Sequence, residues 1–278
     1  MFGTNFGNNA SSGGVSYIPQ AQTYFDAVDT AGGTTSIIYK SAFNDLLISG
    51  TTNGWLTGIV AFKPGAGGTE AAAEINAISP GTLDTILINS PTIDPTIGVT
   101  FDGSTQYGNS QLIPNTHFDS AYQWAVGYYV ITGSNTAGSS YSFGSGANNA
   151  SKRIMALDWN TTTNTTYLYA NGLNTYRVQA SNAASSGTLV GGVRSAINNL
   201  RLYHNGSNVG EYTVSQSASL PVNEFTEAAR NAGSPGTPSP SVFSNAKFAC
   251  FYYAKGWSIA QFEDFQTDLQ TFLTAIGI

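Results

Sequence analysis

The amino-acid sequence predicts a mainly β protein, a two-sheet sandwich that carries a small N-terminal helical subdomain and a C-terminal amphipathic helix. Between about residues 83 and 256, short apolar runs with period-two alternation are separated by turns rich in Asn, Gly and Ser. The chain's end instead carries apolar side chains at helical spacing. With 278 residues the chain is long enough to bury one sizeable core of this kind.

The first 20 residues are dominated by Gly, Asn and Ser and contain few apolar side chains. Such a segment cannot bury enough apolar surface to fold alone. One interpretation is a disordered tail. The other is an arm over residues 1–20 that becomes ordered against a partner surface, with Phe2 and Phe6 as its anchors. We expect this arm to attach the protein to its partner.

Residues 21–66 are predicted to form the helical subdomain. A first helix begins near Ala21 and ends at Gly32-Gly33, and a second has an apolar face that ends near Gly50. The apolar run Trp55–Phe62 fits either a third short helix or a strand. A Gly-rich stretch follows and ends this region.

Residues 67–278 are predicted to form the sandwich, after one weak helical turn within Thr69–Ile78. Three prolines exclude the Gly233–Pro240 loop from a sheet, because proline lacks the N–H that a ladder requires. The predicted strands are Thr85–Asn89, Gly98–Phe101, Ala121–Ile131, Ser140–Phe143, Arg153–Trp159, Thr166–Ala170, Tyr176–Gln179, Thr188–Val193, Asn199–His204, Val209–Val214 and Val242–Tyr253.

The clearest single element is the hairpin at Asn199–Thr213. Its apolar residues alternate with polar ones on either side of Asn205-Gly206, a pair that supplies the positive φ angles of a tight turn. Gly210 in the return strand indicates a bulge or a close backbone approach.

The last element is an amphipathic helix. Ser258 followed three residues later by Gln261 is a capping box, and Gly277 marks the end of the helix. Six apolar residues form one stripe along it: Phe262, Phe265, Leu269, Phe272, Leu273 and Ile276.

Charge and composition exclude several classes of protein. Only 9% of residues are charged, the formal net charge is −6, and the ten Lys and Arg residues form no basic stripe, which argues against nucleic-acid binding. No apolar run is long enough to span a bilayer, and the N-terminus has no secretory signal pattern, so we expect cytoplasmic synthesis without membrane insertion. Cys250, the only cysteine, is expected to be buried and inert.

The sequence offers no recognisable catalytic machinery. A glucanase of the sandwich type needs carboxylates spaced as Glu-x-Asp-x-x-Glu on one strand, and no such string exists. His117 and His204 are not near a nucleophile motif, and Glu70 with Glu74 indicates an ordinary solvated helix face. The acidic residues of the last helix fit its polar side. We therefore expect no enzymatic activity and no cofactor.

Sugar binding is the chemistry that the sequence does favour. A lectin-like site combines an aromatic face with Asp, Asn and backbone groups that pair with hydroxyls. Asp158, Trp159 and Asn160 supply these types at the end of a strand, and Tyr141 and Tyr203 are expected to extend the surface. The alternative is that Trp159 packs in the core or against a neighbouring subunit.

The order of several motifs resembles the laminin-G-like, concanavalin A-like sandwich domains of bacteriophage virion proteins. The resemblance covers about residues 20–278. Its motifs are FDGSTQYG, YQWAVGYYV, LRLYHNGSNVG, a Pro/Gly/Ser loop, and AKFACFYYAKGWSIAQFEDFQTDLQTFLTAIG, preceded by a helix pair and LINSPTI and opened by MFG.

The resemblance implies a jelly-roll sandwich in a fibre, spike or decoration protein, made in the host bacterial cytoplasm and located on the virion. On this interpretation the N-terminal arm contacts other virion proteins and the lectin-like site binds a host surface glycan. We also expect a homo-oligomer, because low charge and many Tyr residues suit subunit contacts. A carbohydrate-active hydrolase and a pure capsid-assembly protein are the rival classes. Laminin-G-like domains often hold calcium in loop carboxylates, for which Asp102, Asp119 and Asp158 are the candidates.

Overall fold

The computed structural model describes residues 15–278 except 134–138, 147–152, 161–164, 171–176, 182–184, 214–218 and 234–237, and it describes the strand residues 139–141 and 153–160 by their backbone only. The helices are α1 (Pro19–Thr30), α2 (Ile37–Thr52), α3 (Glu70–Ala73), α4 (Pro114–His117) and α5 (Ile259–Ala275), with a 3₁₀ turn at Leu56–Gly58. The strands are β1 (Ile59–Lys63), β2 (Ile86–Ile88), β3 (Thr92–Ile93), β4 (Val99–Thr100), β5 (Tyr107–Asn109), β6 (Trp124–Thr132), β7 (Ser139–Gly146), β8 (Arg153–Asn160), β9 (Thr165–Tyr169), β10 (Arg177–Ala180), β11 (Thr188–Ala196), β12 (Asn199–His204), β13 (Ser207–Tyr212), β14 (Thr226–Glu227), β15 (Arg230–Asn231), β16 (Pro240–Ser241) and β17 (Lys247–Lys255).

The strands form two sheets packed face to face, so the predicted mainly β sandwich is confirmed, and its form is jelly-roll-like. The first sheet has the order β13-β12-β11-β6-β17-β4-β3, with β1 also pairing with β17. The second sheet has the order β10-β9-β8-β7-β14-β5-β2, with β15 and β16 attached beside β7. The pairings of the first sheet are all antiparallel among the described residues. Short turns join β3 to β4, β11 to β12 and β12 to β13, whereas β6 and β17 pair with strands distant in the chain.

The first sheet is buried on both faces. Along β6, Val126 and Tyr128 point into the space between the sheets, whereas Ala125 and Tyr129 point to the opposite side. Such a strand reads as a continuous apolar run because each of its faces meets a separate core. The molecule therefore has three layers, with helices on one face of the first sheet and the second sheet on the other.

Helices α1, α2 and α5 make the helical layer. Phe43 of α2 and Phe272 of α5 pack edge to face at 6.1 Å, and both lie in the same hydrophobic cluster as Tyr252 of the first sheet. The predicted helical subdomain over residues 21–66 does contain two helices. Its last part is strand β1, which pairs with β17, so this region shares one core with the sandwich and is not separately packed.

Close packing in the first sheet explains two glycines in its central strands. Gly127 of β6 and Gly191 of β11 are paired, and the hydroxyl of Tyr252 lies where a Cβ on either residue would be. Gln266 of α5 donates a 2.6 Å hydrogen bond to this hydroxyl. The two glycines therefore let one tyrosine lie across the sheet and reach the helix above it.

The predicted hairpin is confirmed, and near Gly210 the structure has both the predicted bulge and the predicted close backbone approach. Asn205 and Gly206 have positive φ angles of 47° and 75°. The register between β12 and β13 shifts so that Val209 is the extra residue of a bulge. A Cβ on Gly210 would lie 2.6 Å from Val178 of β10, so the backbone also approaches the second sheet closely here.

The C-terminal helix is confirmed and one loop prediction is wrong. Ser258 and Gln261 form the reciprocal bonds of a capping box, and Gly277 follows the helix with a φ of 86°. Pro240 was excluded from any sheet, yet it begins β16 and pairs with Asn231 of β15. A two-residue strand that starts with proline at a sheet margin loses no ladder donor that the partner needs.

Candidate functional site

The outer face of the second sheet presents a pair of tyrosines on β9. Leu168 points into the core between the sheets, so its neighbours Tyr167 and Tyr169 point to the opposite face. Their ring centroids lie 6.0 Å apart, and each side chain keeps 9% of its surface exposed. The TTYLY sequence of β9 thus places two aromatic rings side by side outside the sandwich core.

Strand β10 adds two polar side chains to the same face. Arg177 pairs with Tyr169 and Gln179 pairs with Tyr167, whereas Val178 between them is buried against the core. The guanidinium carbon of Arg177 lies 4.4 Å from the centre of the Tyr167 ring, the distance of a cation–π contact. Tyr167, Tyr169, Arg177 and Gln179 are called the tyrosine–arginine face below.

The tyrosine–arginine face combines the groups that bind saccharides. Aromatic rings stack on the apolar side of a pyranose, and amide and guanidinium groups donate to its hydroxyls. Gln179 is exposed and Arg177 is partly exposed. Stacking on Tyr167 also fixes the plane of the guanidinium, which reduces the rotamer entropy that binding would otherwise cost.

Two of the residues predicted from sequence share a row with this face. In the register of the sheet Tyr141 of β7 is opposite Asp158 of β8, and Asp158 is opposite Tyr167. Directly opposed residues of neighbouring strands lie on one face of a sheet. The side chains of Tyr141 and Asp158 lie outside the described residues, so their share in the site stays a prediction.

Trp159 and Asn160 belong to other rows. Trp159 is paired with Thr166, which is fully buried, and Thr166 is paired in turn with the buried Ala180. Asn160 is paired with Thr165. The side chains of Trp159 and Asn160 also lie outside the described residues. The register does not place Trp159 in the row of the tyrosines.

Tyr203 was predicted as part of the sugar-binding surface, and this is wrong. It lies in the first sheet under α5, with 1% of its surface exposed. Its hydroxyl donates a 2.7 Å hydrogen bond to Glu263, and its ring meets Phe262 edge to face at 5.0 Å. Burial, with this hydrogen bond, raises the pKa of Tyr203 to about 12. Its alternation within β12 is that of a residue packed under a helix, which sequence alone could not distinguish from a surface tyrosine.

The remaining predicted residues are the arm anchors and the calcium candidates. Phe2 and Phe6 lie outside the described residues. Asp102 accepts hydrogen bonds from the backbone N–H groups of Ser104, Thr105 and Gln106; these outweigh partial burial, which acts to raise its pKa, and hold the pKa well below its usual value.

Two of the three calcium candidates have other partners, and the side chain of the third, Asp158, lies outside the described residues. Asp119 forms an ion pair with Lys255 at 2.9 Å, and Asp102 closes its own turn. Among the described residues no three His, Cys, Asp or Glu side chains converge as a metal site would require. No described helix is both long and apolar enough to cross a membrane.

A buried polar cluster between the sheets was not anticipated from sequence. Lys63 and Glu227 are 2% and 3% exposed and lie 3.6 Å apart, and Lys63 donates a 2.8 Å hydrogen bond to the carbonyl of Ser110. Tyr253 and Thr85 donate to the Glu227 carboxylate, each at 3.1 Å. Burial lowers the pKa of Lys63, against the opposing effect of Glu227. No local pattern signals this cluster, because its members come from distant strands.

The cluster has no room for a substrate. The cavity that Lys63 and Glu227 line would hold about one water molecule. A buried ion pair with its hydrogen bonds satisfied is a structural feature that specifies how strands pack. We therefore treat it as part of the fold.

The remaining reactive side chains are also structural. Cys250 is buried as predicted, and burial raises the pKa of its thiol to about 12. The ring of His117 is hydrogen-bonded to the backbone of Ile113. Burial lowers the pKa of His204 to about 4, so this side chain is neutral at pH 7.

Comparisons with known proteins support the fold. No protein-family model matches the chain, and no curated protein matches it significantly. Among solved structures, the Trypanosoma rangeli sialidase in complex with 2,3-difluorosialic acid is similar over 84% of this chain and 40% of the sialidase, with 11% identity and a TM-score of 0.55. The same sialidase in complex with sialic acid is similar over 77% of this chain and 33% of the sialidase, with 13% identity and a TM-score of 0.52.

A second group of similar structures consists of toxin domains. The botulinum neurotoxin serotype D binding domain is similar over 78% of this chain and 52% of that domain, with 8% identity and a TM-score of 0.51. The chain thus spans less than half of the sialidase and about half of the toxin domain. Likeness at this identity establishes the β-sandwich architecture alone.

Proposed function

We propose that this protein is a non-enzymatic structural protein of a bacteriophage particle whose sandwich binds saccharides through the tyrosine–arginine face. The observation that carries the binding proposal is the placement of Tyr167, Tyr169, Arg177 and Gln179 together on the outer face of the second sheet. The same register brings Asp158 and Tyr141 into the row of Tyr167 as further proposed contacts.

The position of the face in the fold suits binding. It lies outside the core, on strands whose inward residues Leu168 and Val178 are fixed by packing, so its side chains are held on a rigid support. Tyr167 and Tyr169 each keep 9% of their surface exposed, so a saccharide would meet the edges of their rings and take its directional contacts from the more exposed Arg177 and Gln179. The similarity to the Trypanosoma rangeli sialidase and to the botulinum neurotoxin binding domain supports the sandwich architecture on which this proposal rests.

Three of the described carboxylates have structural roles in the fold. Glycoside hydrolysis by the common mechanism needs two carboxyl groups that flank an accessible sugar. Glu227 is buried beside a cavity for about one water molecule, and Glu263 and Asp268 bond to Tyr203 and Trp55. These three groups are engaged in the fold.

The place on a phage particle is proposed from the order of motifs that resembles virion sandwich domains. The predicted arm over residues 1–20 extends too far, because Tyr17 and Ile18 pack against the core and Pro19 begins α1. In this proposal the residues before Tyr17 are the arm that contacts other virion proteins, with Phe2 and Phe6 as anchors. The low content of charged residues, 9%, suits extended contacts between identical subunits, because charge is depleted at interface cores. The saccharide would then belong to the host surface.

A glycan array with the whole protein tests the binding proposal. We expect wild-type binding to a subset of glycans and its loss in Tyr169→Ala. The matched control is Tyr107→Ala, which removes a partly exposed tyrosine from β5 of the same sheet, several strands away. Both variants should keep the wild-type circular dichroism spectrum.

Three outcomes would contradict the proposal. One is an array with no binding at all, and another is equal loss in Tyr107→Ala and Tyr169→Ala. The third is loss in Trp159→Ala with full binding in Tyr169→Ala, which would move the site along β8. Release of reducing ends from any bound polysaccharide would instead establish the hydrolase alternative.

A further inference from the structure

We infer that the tyrosine–arginine face selects saccharides that carry a carboxylate, and that the guanidinium of Arg177 binds this carboxylate. The inference rests on the proposed saccharide-binding function and adds to it the chemical class of the ligand. Three observations support it: the stacking of Arg177, the lack of an ion pair to Arg177 among the described residues, and the polar and aromatic groups around it.

Stacking leaves the donors of Arg177 available. The guanidinium carbon lies 4.4 Å from the centre of the Tyr167 ring, so one face of the planar group is covered by the ring. The N–H groups of a guanidinium lie in its plane and point outward from its edges. A carboxylate approaching an edge can accept two parallel hydrogen bonds, which is the pairing that this fork fits best.

The charge of Arg177 is not neutralised within the described structure. Five other cations form ion pairs with acidic side chains: Lys40, Lys63, Arg201, Lys247 and Lys255. Among the described residues Arg177 lies in no ion pair, and its contact is with a neutral ring. In a chain of net charge −6, a cation left without an acidic partner on an outer face is suited to an external anion.

The neighbours of Arg177 favour a sugar acid over a small inorganic anion. Tyr169, its partner across the strand pair, keeps 9% of its surface exposed and so offers only the edge of its ring, whereas Gln179 offers an exposed amide on the same strand as Arg177. A free phosphate or sulfate would use the guanidinium alone. A pyranose with a carboxylate can use the ring, the amide and the guanidinium together.

Paired ligands that differ only in charge provide the test. The probes are oligogalacturonate and its methyl ester, and sialyllactose and lactose, each titrated into the full-length protein by calorimetry. For at least one pair we expect the acid to bind about tenfold or more tightly than its neutral counterpart, since a charge-assisted pair contributes more than a neutral hydrogen bond. Added salt should reduce this preference.

Variants then assign the preference to one residue. Arg177→Gln should bind the acid and its neutral counterpart equally, and Arg177→Lys should retain only part of the preference, because an ammonium cannot form the bidentate pair. Lys255→Gln changes the net charge by the same amount on a side chain that is already paired with Asp119, and it should keep the wild-type preference.

The outcomes separate this inference from the proposed function. Equal wild-type affinity for acid and neutral probes, or binding of neutral array glycans alone, overturns the carboxylate inference and leaves saccharide binding in place. A preference that survives in Arg177→Gln also overturns it. Binding of inorganic sulfate as tightly as the acidic saccharides would show an anion site rather than a sugar-acid site. No binding of any glycan would overturn the proposed function itself.

Discussion

Replacing Phe265 by alanine tests whether α5 is an integral layer of the fold. Phe265 is fully buried, and its ring meets the rings of Trp55, Tyr252 and Trp257 at 4.9, 4.7 and 5.0 Å. The side chain thus joins α5 to the segment before β1, to the first sheet and to the loop that precedes the helix. Its removal leaves a cavity among three large rings that cannot easily collapse.

The expected loss of stability in Phe265→Ala follows from this packing. Truncation of a buried phenylalanine to alanine destabilises a protein by about 3–5 kcal/mol, and we expect the upper half of that range for Phe265→Ala because three aromatic contacts are lost as well. The exposed Asp264 on the same helix is the control, and Asp264→Ala should change the stability by less than about 0.5 kcal/mol.

Urea denaturation followed by tryptophan fluorescence and circular dichroism measures both free energies of unfolding. The two probes should give one shared transition in each variant if the helix and the sandwich unfold together. A loss below about 1 kcal/mol in Phe265→Ala, or a chain cut after Gly256 that still melts cooperatively at the wild-type temperature, would refute the integral role of α5.

Three further predictions concern other parts of the molecule. Lys63→Ala should lower the free energy of unfolding by about 3–5 kcal/mol, because it leaves the Glu227 charge buried and unpaired. The double variant Lys63→Met with Glu227→Leu should lose less, and urea denaturation that ranks the two variants in the reverse order would contradict this prediction. Burial lowers the pKa of His204 to about 4, whereas its pKa in the unfolded chain is near 6.5. Between these two values the proton binds the unfolded chain in preference, so the free energy of unfolding should be highest above pH 6.5 and should fall as the pH falls toward 4. The loss is about 2 kcal/mol after allowance for partial exposure, and His204→Gln should flatten the melting temperature across that interval. Deleting residues 1–14, which leaves Tyr17, Ile18 and the start of α1 in place, should leave the melting temperature nearly unchanged and remove the protein from virions; particles with a full copy number of the truncated protein would place the attachment elsewhere.

Local sequence signals predicted the elements of this fold well. The Asn205-Gly206 turn and the Ser258 capping box each depend on a few adjacent residues, and each lies where the sequence indicated. Such signals are reliable because turn geometry and helix caps are satisfied by neighbours in the chain. The predicted strand Val242–Tyr253 instead begins at Lys247, and the sequence did not indicate the short strands β3, β14 and β15.

Long-range packing was harder to predict. Nothing in the sequence near Tyr203 indicates that α5 covers it, and the segment Trp55–Phe62 fitted a helix or a strand until its pairing with β17 was known. Lys63 and Glu227 are far apart in the chain, so their pairing follows from strand order rather than from any local pattern. Residues whose environment is set by distant strands are those for which sequence reasoning fails.

The candidate site was located only in part. The sequence predicted Asp158 and Tyr141, which share the row of Tyr167. It did not predict the alternating tyrosines of β9 or Arg177 of β10. Their spacing was the available signal, since two tyrosines separated by one apolar residue lie on one face of a strand. Which face is outside depends on the position of the strand in the sandwich.

The most direct test of the central claim is a crystal structure of the full-length protein with a saccharide identified on the array. We expect density for a sugar ring against Tyr169, with a polar group of the sugar at hydrogen-bonding distance from Arg177 or Gln179. A saccharide bound with full occupancy at another surface, for example the loops of Asp102 or Asp119, with the outer face of β9 and β10 empty, would contradict the account.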